Sequence, residues 1–279
     1  MKAAVFEHQR AEDVAQAARA LAEAGGRAKL IAGGQSLGPM LNLRLSRPQL
    51  LVDLSDLPVL ASVQVQGQEL VLGARLTHAA IEDGRHPALV GHPMQQVAAG
   101  IAYRAIRNKG TLGGSLAHAD PAADWVVALV AMGAVLRLQS PRGERERPLE
   151  GFMQAAYTTE LAQDELITAV KVPAMTAGRW GYYKFCRKPG EFADASAAVC
   201  QTAPGAPWRL ALGALDGPPM LLAALARELA EPGAAPLALG RLREAVAAAL
   251  PEHDPIDHQL HAVCLARALA QAGWPAVAA

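Results

Sequence analysis

Apolar positions change their period along the chain, and the changes divide it into elements. Residues 3 to 6, Ala-Ala-Val-Phe, read as a first strand. From Ala11 to Ala24 the apolar residues recur at helical spacing, with Val14, Ala17, Ala18 and Leu21 on one face and Gly25-Gly26 as the stop. Ala28 to Ala32 predicts a strand running into Gly33-Gly34, and Gln49 to Leu54 predicts another. Strand, helix, strand, loop, strand is how an α/β unit looks in sequence.

From Ser62 to Ala74 the period falls to two on either side of Gly67, which predicts a hairpin. Thr77 stands where an N-cap would open a short helix, and Pro93 to Ile106 predicts a longer helix before a loop from Arg107 to Ser115. Pro121 suits the first turn of a further helix that buries Trp125, Val126, Leu129 and Val130; Ala134 to Gln139 then reads as a strand. The charged run Ser140 to Pro148 predicts a solvated hairpin tip rather than a binding patch.

Beyond Pro173 the texture changes. Strand-like runs at 180–186, 195–202 and 208–215 precede alanine-rich helical segments that reach Ala272. Strands grouped before helices predict a separate α+β domain. The expected organisation is therefore residues 1–175, with subdomains meeting near residue 56, followed by residues 176–279.

Composition narrows the function. With 279 residues the chain is long enough to bury a core without disulfides or a structural metal. Its 26 basic and 26 acidic side chains cancel, which leaves no electrostatic footprint for nucleic acid. No run of about 18 apolar residues is present, so no transmembrane segment is expected. The polar stretch Glu7 to Arg10 interrupts any signal-peptide pattern, and a cytoplasmic location is the expectation. Cys186, Cys200 and Cys264 form no CxxC pair, so an iron–sulfur centre would have to come from another chain.

Two glycine pairs carry the candidate chemistry. Ala32-Gly33-Gly34-Gln35-Ser36-Leu37 follows a strand where the chain must turn, and adjacent glycines bring backbone N–H groups close to a ligand. Thr111-Leu112-Gly113-Gly114-Ser115 repeats the theme ahead of His118-Ala119-Asp120-Pro121-Ala122-Ala123-Asp124. Neither is a GxGxxG or a GxxxxGK[ST] motif, so dinucleotide and ATP fingerprints of those kinds are missing. Two such nests converging on one diphosphate would share its charge among neutral donors; the plain alternative is a pair of tight turns. Asp124 falls near the positive end of a helix, either as an ordinary helix-start acid or as an acceptor for ligand hydroxyls.

These stretches, AGGQSL at 32–37 and IRNKGTLGGSLAHADPAAD at 106–124, resemble the paired FAD motifs of the medium subunit of molybdenum hydroxylases, the family of xanthine oxidase and carbon monoxide dehydrogenase. The resemblance continues through VLGARLTHAAIE (71–82), DELITAVKVP (164–173) and YYKFCRKPGEFADASAAV (182–199). It implies an α+β chain with a flavin-binding fold of the vanillyl-alcohol-oxidase type, two small α/β subdomains holding FAD under a C-terminal α+β domain. Residues 32–36 and 111–115 would bind the pyrophosphate and Asp124 the ribityl chain. Lys184 matches a lysine near the flavin ring, and Leu166 or Ile167 an apolar contact to it. Where the family often has an acidic residue followed by tyrosine, this chain has Glu191-Phe192. Phe192 would stack on a ring face or serve as a core aromatic.

The resemblance also implies partners: a small subunit with two 2Fe-2S clusters and a large subunit with the molybdenum cofactor, as a dimer of heterotrimers. Electrons would then reach FAD here and leave to an external acceptor such as NAD, a quinone or oxygen. No side chain is expected to act as a catalytic acid or base. His253, His258 and His261 match the polar start of the family's last helix rather than a metal site. A free-standing flavin oxidoreductase and a non-catalytic binding protein are the competing readings, separated by partner co-purification and by flavin content.

Overall fold

Three short strands begin the chain. The computed structural model describes residues 2–231 and 237–275. β1 (Glu7–Arg10), α1 (Val14–Ala24), β2 (Ala28–Ile31), α2 (Leu37–Asn42) and β3 (Leu50–Asp53) form the first unit, with β3 between β1 and β2 and parallel to both. Asp13 caps α1 by accepting from the Gln16 N–H, and Gly25 ends it in the left-handed conformation. Ala17, Ala18 and Leu21 pack with Val52 and Leu54 in one small core. The predicted strand at 3–6 lies too early: Val5 is 99% exposed, and the parallel register with β3 begins at Glu7.

The second unit contains β4 (Val63–Gln66), β5 (Glu69–Gly73), α3 (His78–Glu82), α4 (Met94–Gly100), α5 (Arg104–Arg107), α6 (Leu112–His118), α7 (Asp124–Met132), β6 (Val135–Ser140), β7 (Gly143–Pro148), β8 (Met153–Ala155), β9 (Thr158–Thr159) and β10 (Leu166–Pro173). Five of its strands make an antiparallel sheet in the order β4-β5-β10-β6-β7. All nine residues of α7 are buried, as befits a helix that is apolar all round after its first residue, Asp124.

Four sequence expectations change here. The single helix at 93–106 is two, because the chain breaks at Ala102 (φ 41°), and the Ile101 and Ala102 carbonyls accept from Arg107. The loop at 107–115 is shorter, since α6 begins at Leu112. Pro121 lies ahead of α7, which opens at Asp124 with Ala123 as its N-cap. The charged run at 140–148 does form a hairpin, but most of it is strand β7, where Arg145 pairs with Glu165 and Arg147 with Glu160.

The third unit is β11 (Arg179–Phe185), β12 (Ala195–Gln201), β13 (Arg209–Gly213) and β14 (Met220–Leu221) in one antiparallel sheet, then α8 (Ala223–Ala230), α9 (Leu239–Ala249) and α10 (Pro255–Gln271). Ala197, Val199, Leu210 and Leu212 join the core under the helices. Ala198, Cys200 and Ala211, one residue out of phase, join the core around α7. This sheet therefore separates α7 from α10. No helix among the described residues is long and apolar enough to cross a membrane.

At two crossings the sheet meets a helix with no space for a side chain. A Cβ on Gly181 would overlap the Ala268 carbonyl in α10, and one on Gly213 would come within 2.6 Å of Val127 Cβ in α7. Gly181→Ala is therefore expected to cost about 1–3 kcal/mol by overpacking, read as a lower urea midpoint. Gly240→Ala, in a helix with open space at that point, should be neutral or stabilising. Equal midpoints for the two variants would contradict this packing.

Candidate functional site

The two glycine motifs, some 75 residues apart in sequence, touch backbone to backbone. A Cβ on Gly33 would overlap the Lys109 carbonyl and stand 3.0 Å from the Gly110 Cα. Only glycine permits that approach. Gly34 turns the chain at φ 69°, and its carbonyl accepts from Gly38 N–H as α2 begins at Leu37. Gln35 folds back to donate to the Gly33 carbonyl at 2.9 Å. Backbone N–H groups of Gly33, Gly34, Gln35 and Ser36 have no acceptor among the described residues. A run of unpaired donors beside Ala32, on a half-exposed loop, suits an anionic group.

The second motif is built differently from the open nest anticipated for it. Thr111 N-caps α6 by accepting from Gly114 N–H, while Leu112 and Gly113 donate to the carbonyls of Leu76 and Ala74 and Ser115 to that of Thr111. Its backbone donors are thus largely committed within the protein. What it offers outward is the exposed Gly114 and the Ser115 hydroxyl at the positive end of a short helix. Gly113 seats this turn on Ala74, where a Cβ would lie 2.5 Å from the alanine methyl. Ala74 in turn donates to the carbonyl of Thr168 in β10, next to the buried Ile167.

Beneath the junction lies His78. Trp125 Nε1 donates to its Nδ1 at 3.0 Å, and its ring edge is against Gly110. Burial, helped by the Arg107 charge, pushes the imidazole down to about 4, so it is the neutral acceptor that Trp125 needs. Arg107 itself is bidentate to Glu82, and Arg104 reaches Glu82 and Asp83, which ties α5 to α3.

Asp124 is 6% exposed. Its Oδ1 accepts from Tyr182 Oη at 2.8 Å and pairs with Lys184 Nζ at 2.9 Å. Burial raises its pKa, and Lys184 and Tyr182 act in the opposite direction. Lys184 also donates to the Gly100 carbonyl at 2.8 Å and lies 3.5 Å from that of Glu191. The lysine therefore joins α7, the end of α4 and the loop that carries Phe192. That loop packs on the α4–α5 break, where a Cβ on Gly190 would stand 3.0 Å from the Ala102 carbonyl. Phe192 is 65% exposed, so it is no core aromatic; its ring is free to lie against a planar group.

Loop 33–36, the start of α6 and the Asp124 region thus form linked neighbourhoods through Gly110, His78 and Trp125. These donors and acceptors fit FAD: unpaired N–H groups for a diphosphate, a buried carboxylate for sugar-chain hydroxyls, and an exposed aromatic for a ring face. Tyr182 escaped sequence reasoning as part of the site, and His78 was seen only as a member of the flavin-domain stretch at 71–82. The Tyr-x-Lys spacing, which puts both side chains on one face of a strand, was the available signal for Tyr182. His253 packs by Asp257, and the His258 and His261 rings bond to backbone carbonyls of Leu250, Asp257 and Gly213.

Comparison with known proteins gives the family and the fold. Residues 4–175 match the family described as the FAD binding domain in molybdopterin dehydrogenase. The chain is 41% identical over 203 residues to 6-hydroxypseudooxynicotine dehydrogenase complex subunit alpha of Paenarthrobacter nicotinovorans, covering 72% of this chain and 69% of the relative. It is 36% identical over 200 residues to the carbon monoxide dehydrogenase medium chain of Hydrogenophaga pseudoflava, covering 70% and 68%. Among solved structures, a chain of carbon monoxide dehydrogenase from Hydrogenophaga pseudoflava superposes with a TM-score of 0.88 at 29% identity, covering 98% of this chain and 99% of that one. Quinoline 2-oxidoreductase from Pseudomonas putida 86 gives 0.87 at 28%, with the same coverage of 98% and 99%.

His78 yields a pH prediction. Its folded pKa of about 4 lies below the ordinary 6.5, so the unfolded chain binds more protons between those values. Its share of stability is complete above about pH 6.5 and is lost as pH falls toward 4, on the order of 3 kcal/mol. His78→Asn, which keeps an acceptor but does not titrate, should flatten part of the acid slope of the urea midpoint. Parallel pH profiles for the two proteins would contradict the assignment.

Proposed function

The chain belongs to the family of FAD-binding domains of molybdopterin dehydrogenases, and from that premise we propose that it is the electron-transfer flavoprotein subunit of a three-subunit molybdenum hydroxylase. When bound, FAD would supply the redox chemistry, linking a small partner subunit that would hold 2Fe-2S clusters and a large one that would hold the molybdenum cofactor to an external electron acceptor. The complex is a dimer of such heterotrimers in the cytoplasm. All three cysteines are free thiols, in keeping with a reducing compartment. Names of similar chains as medium chain or complex subunit support the assembly.

The protein's own task is to bind and orient. The observation that carries this is the conjunction of four N–H groups on the 33–36 loop that have no acceptor among the described residues with a carboxylate buried at Asp124. In this reading loop 32–37, with Gln35 and Ser36, takes the diphosphate, and Ser115 and the exposed Gly114 close over it from α6. Asp124 accepts from the ribityl hydroxyls through the oxygen that Tyr182 and Lys184 leave free. Ile167 contributes an apolar wall and Phe192 covers a ring face. The buried His78 and His92 are held toward the neutral form by burial and bonded within the protein, so no acid or base is asked of them.

Removing the charge on Asp124 tests this assignment. Asp124→Asn should weaken FAD binding by about 10- to 100-fold, the usual worth of a hydrogen bond to a charged acceptor, measured by quenching of flavin fluorescence on the reconstituted chain. Unchanged affinity would remove Asp124 from the site.

A further inference from the structure

Strand β11 sends alternate side chains to opposite faces. Tyr183 goes to the α10 side, where Arg267 lies over its ring. Trp180, Tyr182 and Lys184 go to the α7 side, Trp180 and Tyr182 into the main core. Tyr182 is 7% exposed, and its hydroxyl makes one hydrogen bond among the described residues, the 2.8 Å bond to Asp124 Oδ1. Lys184 meets the same oxygen.

A carboxylate oxygen has two lone-pair sites, and on Oδ1 both are taken. The three protons of Lys184 are likewise matched by Oδ1 and the carbonyls of Gly100 and Glu191. Two donors on one oxygen fix the rotation of the carboxylate, and the one further hydrogen bond to it among the described residues comes from the backbone N–H of Asp124 itself. Resting on the FAD assignment above, we propose that Tyr182 is a positioning residue for the flavin: with Lys184 it saturates and orients Oδ1 of Asp124, so that Oδ2 is presented to the ribityl hydroxyls. The C-terminal sheet thereby sets the geometry of a site whose diphosphate loops lie in the N-terminal part of the chain.

An effect transmitted through Asp124 acts only on ligands that have a ribityl chain. The test is a double-mutant cycle on the full chain stripped of flavin, with FAD and ADP titrated calorimetrically into the wild type, Tyr182→Phe, Asp124→Asn and the double variant. Tyr182→Phe is expected to weaken FAD by about tenfold, to leave ADP unchanged and to add nothing in the Asp124→Asn background. Wild-type affinity for FAD in Tyr182→Phe, equal weakening of FAD and ADP, or an undiminished effect in the double variant would overturn the proposal. Should Tyr182→Phe not fold, Lys184→Gln goes through the same cycle with the same expected selectivity. A wild-type chain that binds ADP but no FAD would overturn the functional assignment itself, and this inference with it.

Discussion

Asp124 stands at the first position of a helix whose nine residues are all buried. A carboxylate so placed costs several kcal/mol unless opposite charge and hydrogen bonds meet it. Lys184 and Tyr182 meet it, and both come from β11, about 60 residues further along the chain. The C-terminal sheet must therefore lie against α7 in one register. Gly213, with no room for a side chain beside Val127, permits that closeness. Without the clasp, an unmatched charge would lie between two packed layers.

The same helix anchors the other half of the site. Trp125, next to Asp124, donates to His78, and His78 lies against Gly110, whose neighbour Lys109 carries the carbonyl that excludes any side chain from Gly33. The 33–36 loop, the α6 turn and the carboxylate are thus positioned through one short chain of contacts. The two glycine motifs differ in kind within that arrangement. The first keeps its backbone donors unpaired, while the second commits most of its own to Ala74, Leu76 and Thr111. What makes Gly33 and Gly113 necessary is close packing of backbone; what makes the 33–36 loop useful is its unpaired N–H groups.

Much of this was legible in the sequence. Period and caps located α1, the β4–β5 hairpin, the Thr77 cap of α3 and three of the four strands of the C-terminal sheet, the two-residue β14 being too short to show a period. Local pattern failed where tertiary contacts decide. Ala-Ala-Val-Phe looks like a strand but has no partner, and pairing with β3 starts at Glu7. The 93–106 segment reads as helix apart from Gly100, where α4 ends, and its break at Ala102 is held by Arg107 from the following turn. Gly33 meeting Lys109 is a contact between distant residues, invisible to any window along the chain. Tyr182 passed for one more strand aromatic because its partner lies on another element. The motif residues pointed to FAD through a family resemblance, which the family match over residues 4–175 bears out.

Flavin identity and stoichiometry, read together with partner retention, bear most directly on the central claim. The complex retained on this chain would be purified, its visible spectrum recorded and the released flavin identified chromatographically. The account predicts FAD at about one per chain, with iron–sulfur absorbance present when partner subunits are retained and absent when they are stripped away. An intact complex without flavin that takes up none on incubation with FAD would contradict it, and the glycine loops would then be turns that serve packing alone.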